Sequence, residues 1–252
     1  MTSLPTALPA DPAAPAPDRI CISTNLAAVH ERIRRACAAA GREATAVHLL
    51  AVSKTFGAEA VVAAAAAGQQ AFGENYLQEA VAKIQAVQTL PQSFAGLEWH
   101  CIGPVQSNKT KLVAAHFDWL HTLDRLKIAE RLSAQRAADQ APLNVCLQVN
   151  MDGEDSKSGV APQALLDLAQ AVAVLPRLRL RGLMTIPAPR TDFQSQLAVH
   201  QAARALFEQV KTQLPVPHDF DTLSMGMSAD LEAAIHAGST LVRVGSAIFG
   251  QR

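Results

Sequence analysis

The sequence predicts a single (β/α)8 barrel, and three observations carry the prediction. Eight short apolar runs recur along the chain, each followed by a helical pattern or a turn, which is the strand count of this fold. The runs are bounded by turn signals, as in the buried strands of a parallel sheet. Distinctive polar residues fall at their carboxyl ends, which in a barrel all face one rim. The competing fold is an open doubly wound sheet, which more often has fewer strands and a GxGxxG first turn. Here the first turn reads Ser53-Lys54-Thr55-Phe56-Gly57.

The elements follow in order. Asn25 to Ala40 is a helix, with Leu26, Val29, Ile33 and Cys37 at helical spacing, Arg32, Arg34 and Arg35 free to face water, and Gly41 as the stop. It is an extra helix, placed to cover the barrel where an eighth helix would be short. Strand one runs from Val47 through Ser53 and ends at Lys54, and a helix over Ala58 to Ala67 ends at Gly68. Strand two is Gln70 to Gly73, followed by Glu74-Asn75-Tyr76 and a helix to Gln88. Strand three, Leu97 to Ile102, is broken by Gly103-Pro104 before a helix carrying Asn108, Lys109 and Lys111. Strand four is Phe117 to His121, and Thr122 is placed to cap a helix over Asp124 to Ala138. Strand five is Leu143 to Val149; a polar loop, Asn150 to Gly159, precedes a helix from Pro162 to Val174, with proline suited to the first turn. Strand six is Leu178 to Leu183, then a long helix spans Phe193 to Gln213. Strand seven is Phe220 to Leu223, followed by Ser224 to Ser228 and a helix over Ala229 to Ala237; strand eight is Thr240 to Val244, closing at Gly245-Ser246.

Composition bounds the function. The chain has 252 residues, 49% hydrophobic and 17% charged, which suits one large globular barrel or two small domains. Net charge is zero and no basic block stands out, so nucleic-acid binding has no electrostatic basis. No apolar run approaches a membrane-spanning length. The four cysteines, Cys21, Cys37, Cys101 and Cys146, form no CxxC and stand at no zinc-finger spacing. They read as reduced, mostly buried thiols of a cytoplasmic protein with no metal. Met1 to Asp18 is mostly Pro, Ala, Ser and Thr, without the charged start of a signal peptide. It is expected to lie outside the fold as an extended tail, leaving 19–252 as the barrel domain.

The rim residues are Lys54, Glu74 and Asn75, His100, Asp152 to Lys157, Ser224 to Ser228, and Arg243 to Ser246. Lys54 has two readings: a lysine whose stem packs while its ammonium reaches water, or a partly buried Schiff-base lysine whose amine attacks a carbonyl. Ser224-Met225-Gly226-Met227-Ser228 precedes a helix and outlines a phosphate cup, although Ser228 could be an ordinary N-cap. Gly245-Ser246 adds a second small turn, and loops seven and eight of a barrel commonly make one phosphate site together. Arg243 beside it is either a structural ion pair or a ligand contact. An amine, a phosphate cup and an arginine together describe a pocket for pyridoxal 5′-phosphate (PLP). An arginine at the pyridine nitrogen only donates, which favours an unprotonated nitrogen and a weaker electron sink.

The motifs LLAVSKT, FGENYLQEA, WHCIGPVQSNKT, HTLDRL, SKSGV, LRGLMTIP, LSMGMSADLEAAI and VRVGSAIFG occur in this order. On them the chain, from about Asn25 to Gly250, resembles the pyridoxal phosphate homeostasis protein family, the YggS/PROSC family. The resemblance implies a barrel like the N-terminal domain of alanine racemase, without that enzyme's second domain. It implies Lys54 as the cofactor lysine and Ser224, Gly226, Met227, Ser228, Gly245 and Ser246 as phosphate contacts. It also implies Arg243 at the pyridine nitrogen and Asn75 near the ring. The expected function is a PLP carrier or regulator in vitamin B6 homeostasis, without catalysis of its own, acting as a monomer and delivering PLP to apo-enzymes. The alternative is a racemase-like enzyme, for which Tyr76 or His100 would supply the second acid/base group. Tyr76 is expected instead to pack at its helix start, and His100 to make a core or rim hydrogen bond.

Overall fold

In a computed structural model, residues 21–90, 94, 96–153, 158–215 and 218–250 are described; the expected tail, 1–18, lies outside them. Eight parallel strands close into a barrel in sequence order: β1 His48–Val52, β2 Ala71–Glu74, β3 Glu98–Cys101, β4 Trp119–Leu123, β5 Leu143–Val149, β6 Leu178–Thr185, β7 Thr222–Ser224 and β8 Leu241–Val244. Closure pairs β8 with β1 in the register His48↔Leu241 through Ala51↔Val244.

The helices are α1 Ile22–Ala39, α2 Ala58–Ala66, α3 Leu77–Gln88, α4 Thr110–His116, α5 Leu126–Gln135, α6 Leu165–Ala173, α7 Phe193–Gln213, α8 Leu231–His236 and α9 Ser246–Phe249. Among the described residues, no helix is long and apolar enough to cross a membrane. The predicted covering role of the first helix is what the structure shows. After β8 the chain makes only the four-residue α9, and α1 packs against α8, α9 and α2. It lays Leu26, Val29, Ile33, Ala36 and Cys37 inward. Asn25 Nδ2 donates to Ile248 O at 3.0 Å, and Arg32 Nη2 to Glu232 Oε2 at 2.6 Å.

The main core lies between the strands and the helices, while Trp119, Cys146 and Met184 form a small separate cluster. Cys37, Cys101 and Cys146 are buried, Cys21 is exposed, and all four are free thiols.

Several predicted boundaries shift. β1 stops at Val52, so Lys54 belongs to the following turn. β4 runs on to Leu123 and takes in Thr122, which is therefore not a helix cap; its hydroxyl donates to Gly103 O at 2.7 Å. β6 extends to Thr185. α8 begins at Leu231 with Asp230, not Ser228, at the N-cap. Pro162 opens a 3₁₀ turn, Pro162–Ala164, ahead of α6. The helix after β6 falls where it was predicted, with Asp192 Oδ1 accepting from Ser195 N at 2.9 Å.

Candidate functional site

The turn after β1 is tied down by charge. Ser53 is fully buried and its hydroxyl donates to Glu74 Oε1 at 2.6 Å. Lys83, from the buried face of α3, places Nζ 2.6 Å from the same oxygen and 2.8 Å from Ser53 O. Glu79 Oε1 receives the Thr55 amide at 2.6 Å and lies 3.3 Å from Lys83 Nζ. Thr55 sits at φ 68°, a left-handed conformation rare for a β-branched residue; the Glu79 bond holds it there. Burial pushes the Glu74 carboxyl up, against the pull of its bonds from Lys83 and Ser53.

Held this way, Lys54 is exposed, with no hydrogen bond or ion pair among the described residues. The expectation of a partly buried amine is corrected: the strand ends two residues earlier, and the turn carries the side chain out onto the rim. Phe56 of this turn meets Phe249 of α9 at 5.3 Å between ring centroids.

The turns after β7 and β8 are built from small residues. Gly226 lies at φ +93°, and a Cβ there would come within 2.5 Å of Ala234 Cβ. Only glycine lets this turn fold down onto α8. A Cβ at Gly245 would come 3.1 Å from Val52 O, so the β8 turn lies directly against the end of β1. Ser228 is half-buried, while Met227 and Ser246 are exposed. The backbone amides of Ser228 and Ser246 donate to no backbone or side-chain acceptor among the described residues. The Met227 amide is already engaged by Asp230 Oδ1 at 2.7 Å, and Asp230 Oδ2 is 3.0 Å from His200 Nε2. Burial alone would raise the Asp230 carboxyl, but the bonds from His200 and the Met227 amide outweigh it and hold the pKa low. Asp230 thus shapes the turn and leaves the Ser228 amide without a protein acceptor among the described residues.

Arg243 is only 4% exposed. Its Nη1 donates to Ser224 O at 2.8 Å and Ser224 Oγ at 2.7 Å, and its Nη2 to Thr185 O at 2.9 Å. No carboxylate lies within ion-pair distance of it among the described residues, so the structural ion-pair reading is corrected. Burial lowers its pKa to about 10, which leaves it charged at neutral pH. Three of its five N–H groups at most are engaged, leaving donors for a ligand. The Ser224 hydroxyl, expected at the phosphate, is turned instead to Arg243 and to His121 Nδ1 at 3.0 Å. Asn75 is half-buried, and its Oδ1 is a buried acceptor without a partner among the described residues, as is Thr185 Oγ1.

His100 makes the core hydrogen bond expected of it, to His121 Nε2 at 2.9 Å, rather than facing the rim as an acid/base group, and the expected packing of Tyr76 fails. His100 is buried at 1% exposure and points inward, because inward-facing positions of a strand open onto the barrel interior, not the rim. Tyr76 does not pack at the start of α3 but is 57% exposed. Two groups were missed. Lys83 reads as a surface partner of Glu79, yet it falls on the stripe of Leu77, Ala80, Ile84 and Val87, which was the available signal. His121 offered none, since its partners come from β3 and β7. The Asn150 to Gly159 loop is only partly within the described residues.

The fold is a parallel (β/α)8 barrel, and a candidate ligand site spans the ends of strands one, seven and eight. Open donors, glycine turns, an unpaired arginine and a free amine fit a phosphorylated aldehyde such as PLP. The model of the alanine racemase N-terminal domain matches residues 24–252, and the chain belongs to that family. It is 54% identical over 231 residues to the pyridoxal phosphate homeostasis protein of Escherichia coli (strain K12), covering 92% of this chain and 97% of the relative. It is 56% identical over 231 residues to the protein of the same description in Pseudomonas aeruginosa, covering 92% and 96%. The solved structure of PipY from Synechococcus elongatus PCC7942 with PLP bound superposes with a TM-score of 0.78 at 34% identity, covering 91% of this chain and all of that one (100%).

Proposed function

We propose that this chain holds PLP reversibly on Lys54 and serves intracellular vitamin B6 homeostasis. The observation that carries this reading is an exposed lysine in the turn after β1, whose end packs against the Gly245 turn, beside a buried, carboxylate-free arginine on the neighbouring β8. The 54% identity to pyridoxal phosphate homeostasis proteins supports it. When bound, the cofactor supplies an aldehyde carbon that takes a primary amine and a ring that can withdraw electrons. Lys54 offers that amine from the rim. The amides of Ser228 and Ser246, with the room left by Gly226 and Gly245, would hold the phosphate, and Met227 and the Ser246 side chain would border it. Arg243 would donate to the ring nitrogen and, remaining charged, would keep a proton off it. Asn75 would line the ring's surroundings. Ser224 supports Arg243 from behind.

The chain is proposed to work in the cytoplasm as a monomer, with apo-enzymes as recipients. Sedimentation of the loaded chain and activation of an apo-enzyme by it check these points. PLP added to the unsubstituted chain should produce a visible absorbance band absent from Lys54→Ala. No band in the unsubstituted chain would overturn the proposal.

A racemase-like enzyme is the second reading, favoured by the exposed Tyr76, which follows β2 at the same end of the barrel as Lys54 after β1. It predicts Lys54-dependent deuterium uptake at Cα of alanine or another amino acid. The carrier reading predicts none.

A further inference from the structure

Behind Arg243 a hydrogen-bonded chain crosses the barrel interior. Ser224 Oγ receives Arg243 Nη1 at 2.7 Å and lies 3.0 Å from His121 Nδ1. His121 Nε2 lies 2.9 Å from His100 Nδ1. His100 Nε2 faces Glu98 Oε2 at 3.6 Å. Ser224, His121, His100 and Arg243 are between 0% and 4% exposed. The His100 ring is stacked on Trp119, with centroids 5.2 Å apart and planes at 6°, which fixes its orientation. The far end opens into a cavity of about 570 Å³ lined by Glu98, His48, Ala71, Thr222 and Leu241. These five are the first residues of β3, β1, β2, β7 and β8, so the cavity is the amino-terminal mouth of the barrel.

The ends of the chain set its polarity. A guanidinium only donates, so Ser224 Oγ accepts from Arg243 and its own proton is left for His121 Nδ1. A neutral imidazole has one N–H. His121 must then carry it on Nε2 and donate to His100 Nδ1. His100 must carry its own on Nε2, aimed at the Glu98 carboxylate, which only accepts. The reverse polarity sets a ring lone pair against that carboxylate and leaves the Ser224 proton no acceptor in the chain. Burial favours the neutral form of both rings. Hydrogen bonds running in one direction polarise one another, which makes the Ser224 oxygen a better acceptor for a cation that no carboxylate pairs.

We propose that His121 and His100, both Nε2-protonated, are positioning residues for Arg243: they turn the Ser224 lone pair to the guanidinium and so fix the direction of the N–H groups Arg243 presents to the ring nitrogen of PLP. The consequence for the ring nitrogen rests on the PLP reading above; the chain's polarity does not.

The test uses the full chain with ¹⁵N-labelled histidine. Long-range ¹H–¹⁵N spectra of the cofactor-free protein should show the Nε2–H tautomer at His100 and His121, assigned by His100→Gln and His121→Asn. An Nδ1–H tautomer or an imidazolium at either ring near pH 7.5 overturns the proposal, without any substituted protein having to load. His121→Asn keeps an acceptor near Nδ1 and His121→Phe has none. The Phe variant should exchange the Arg243 side-chain N–H groups several-fold faster than the Asn variant in the cofactor-free state. It should also release PLP about fivefold faster, the scale of one hydrogen bond. Equal exchange in the two variants overturns the positioning role. Failure of the unsubstituted chain to take up PLP would overturn the PLP reading, while tautomers and exchange would still decide the chain.

Discussion

The two sides of the rim hold their functional groups by opposite means. On the β1–β2 side, charge is met by charge: Lys83 sits against Glu74 and Glu79, and both carboxylates grip the turn that carries Lys54. On the β7–β8 side, Arg243 is buried with no carboxylate in reach, held by two carbonyls and a hydroxyl that is itself bonded to a neutral histidine. The difference follows from what each side must leave free. On the proposed function Lys54 takes its ligand outside the cluster, so the cluster can be closed. Arg243 is itself the proposed contact, and a carboxylate would occupy the donors it would offer to a ligand.

The ionic side should break hardest. Lys83→Met strands the Glu74 carboxylate in the core and should cost about 3–5 kcal/mol, the range for a buried charge losing its partner. Urea unfolding measures it. Adding Glu74→Gln should restore most of the loss; no recovery would mean that Lys83 acts by packing alone.

Gly226→Ala tests the turn on the other side. With φ at +93° and Ala234 Cβ within 2.5 Å of the added methyl, it should lose about 1–3 kcal/mol of stability. Phosphate-dependent retention of PLP should fall with it, read by dialysis.

Acid should distinguish the neutral chain from the ionic cluster. His121 is held well below its ordinary 6.5 by burial and by His100 and Arg243. Its folded pKa is depressed, so its stability contribution is complete above the unfolded value and is lost as pH falls below about 6.5. Between pH 7.5 and 5 the urea midpoint should therefore fall. Glu74, its pKa raised by burial, works in the opposite sense, so the urea midpoints are compared with His121→Asn, whose pH dependence should be shallower. Equal slopes would show that the ring is not held neutral.

The smallest stability change belongs to the outermost residue. Ser246 is exposed, so Ser246→Ala should move stability by no more than about 0.5 kcal/mol while weakening PLP retention measurably.

What was legible in the sequence follows the same division. Strand five was readable to the residue, and the long helix from Phe193 to Gln213 as well, because an apolar run and a 3.6-residue stripe are local signals. Lys54, Arg243 and the two glycine turns were legible because each departs from its own neighbours. β4 was cut short at His121 because Thr122 looks like a helix cap until a closed barrel carries the strand on to Leu123. The Lys83 cluster and the histidine chain join residues from separate elements, which no single stretch of sequence displays.

Borohydride reduction of the PLP-loaded chain, followed by peptide mapping, tests the central claim most directly. The account predicts a stable label on the peptide containing Lys54 and its loss in Lys54→Ala, with the fold retained. A label chiefly on another lysine, or an undiminished label in Lys54→Ala, would contradict it.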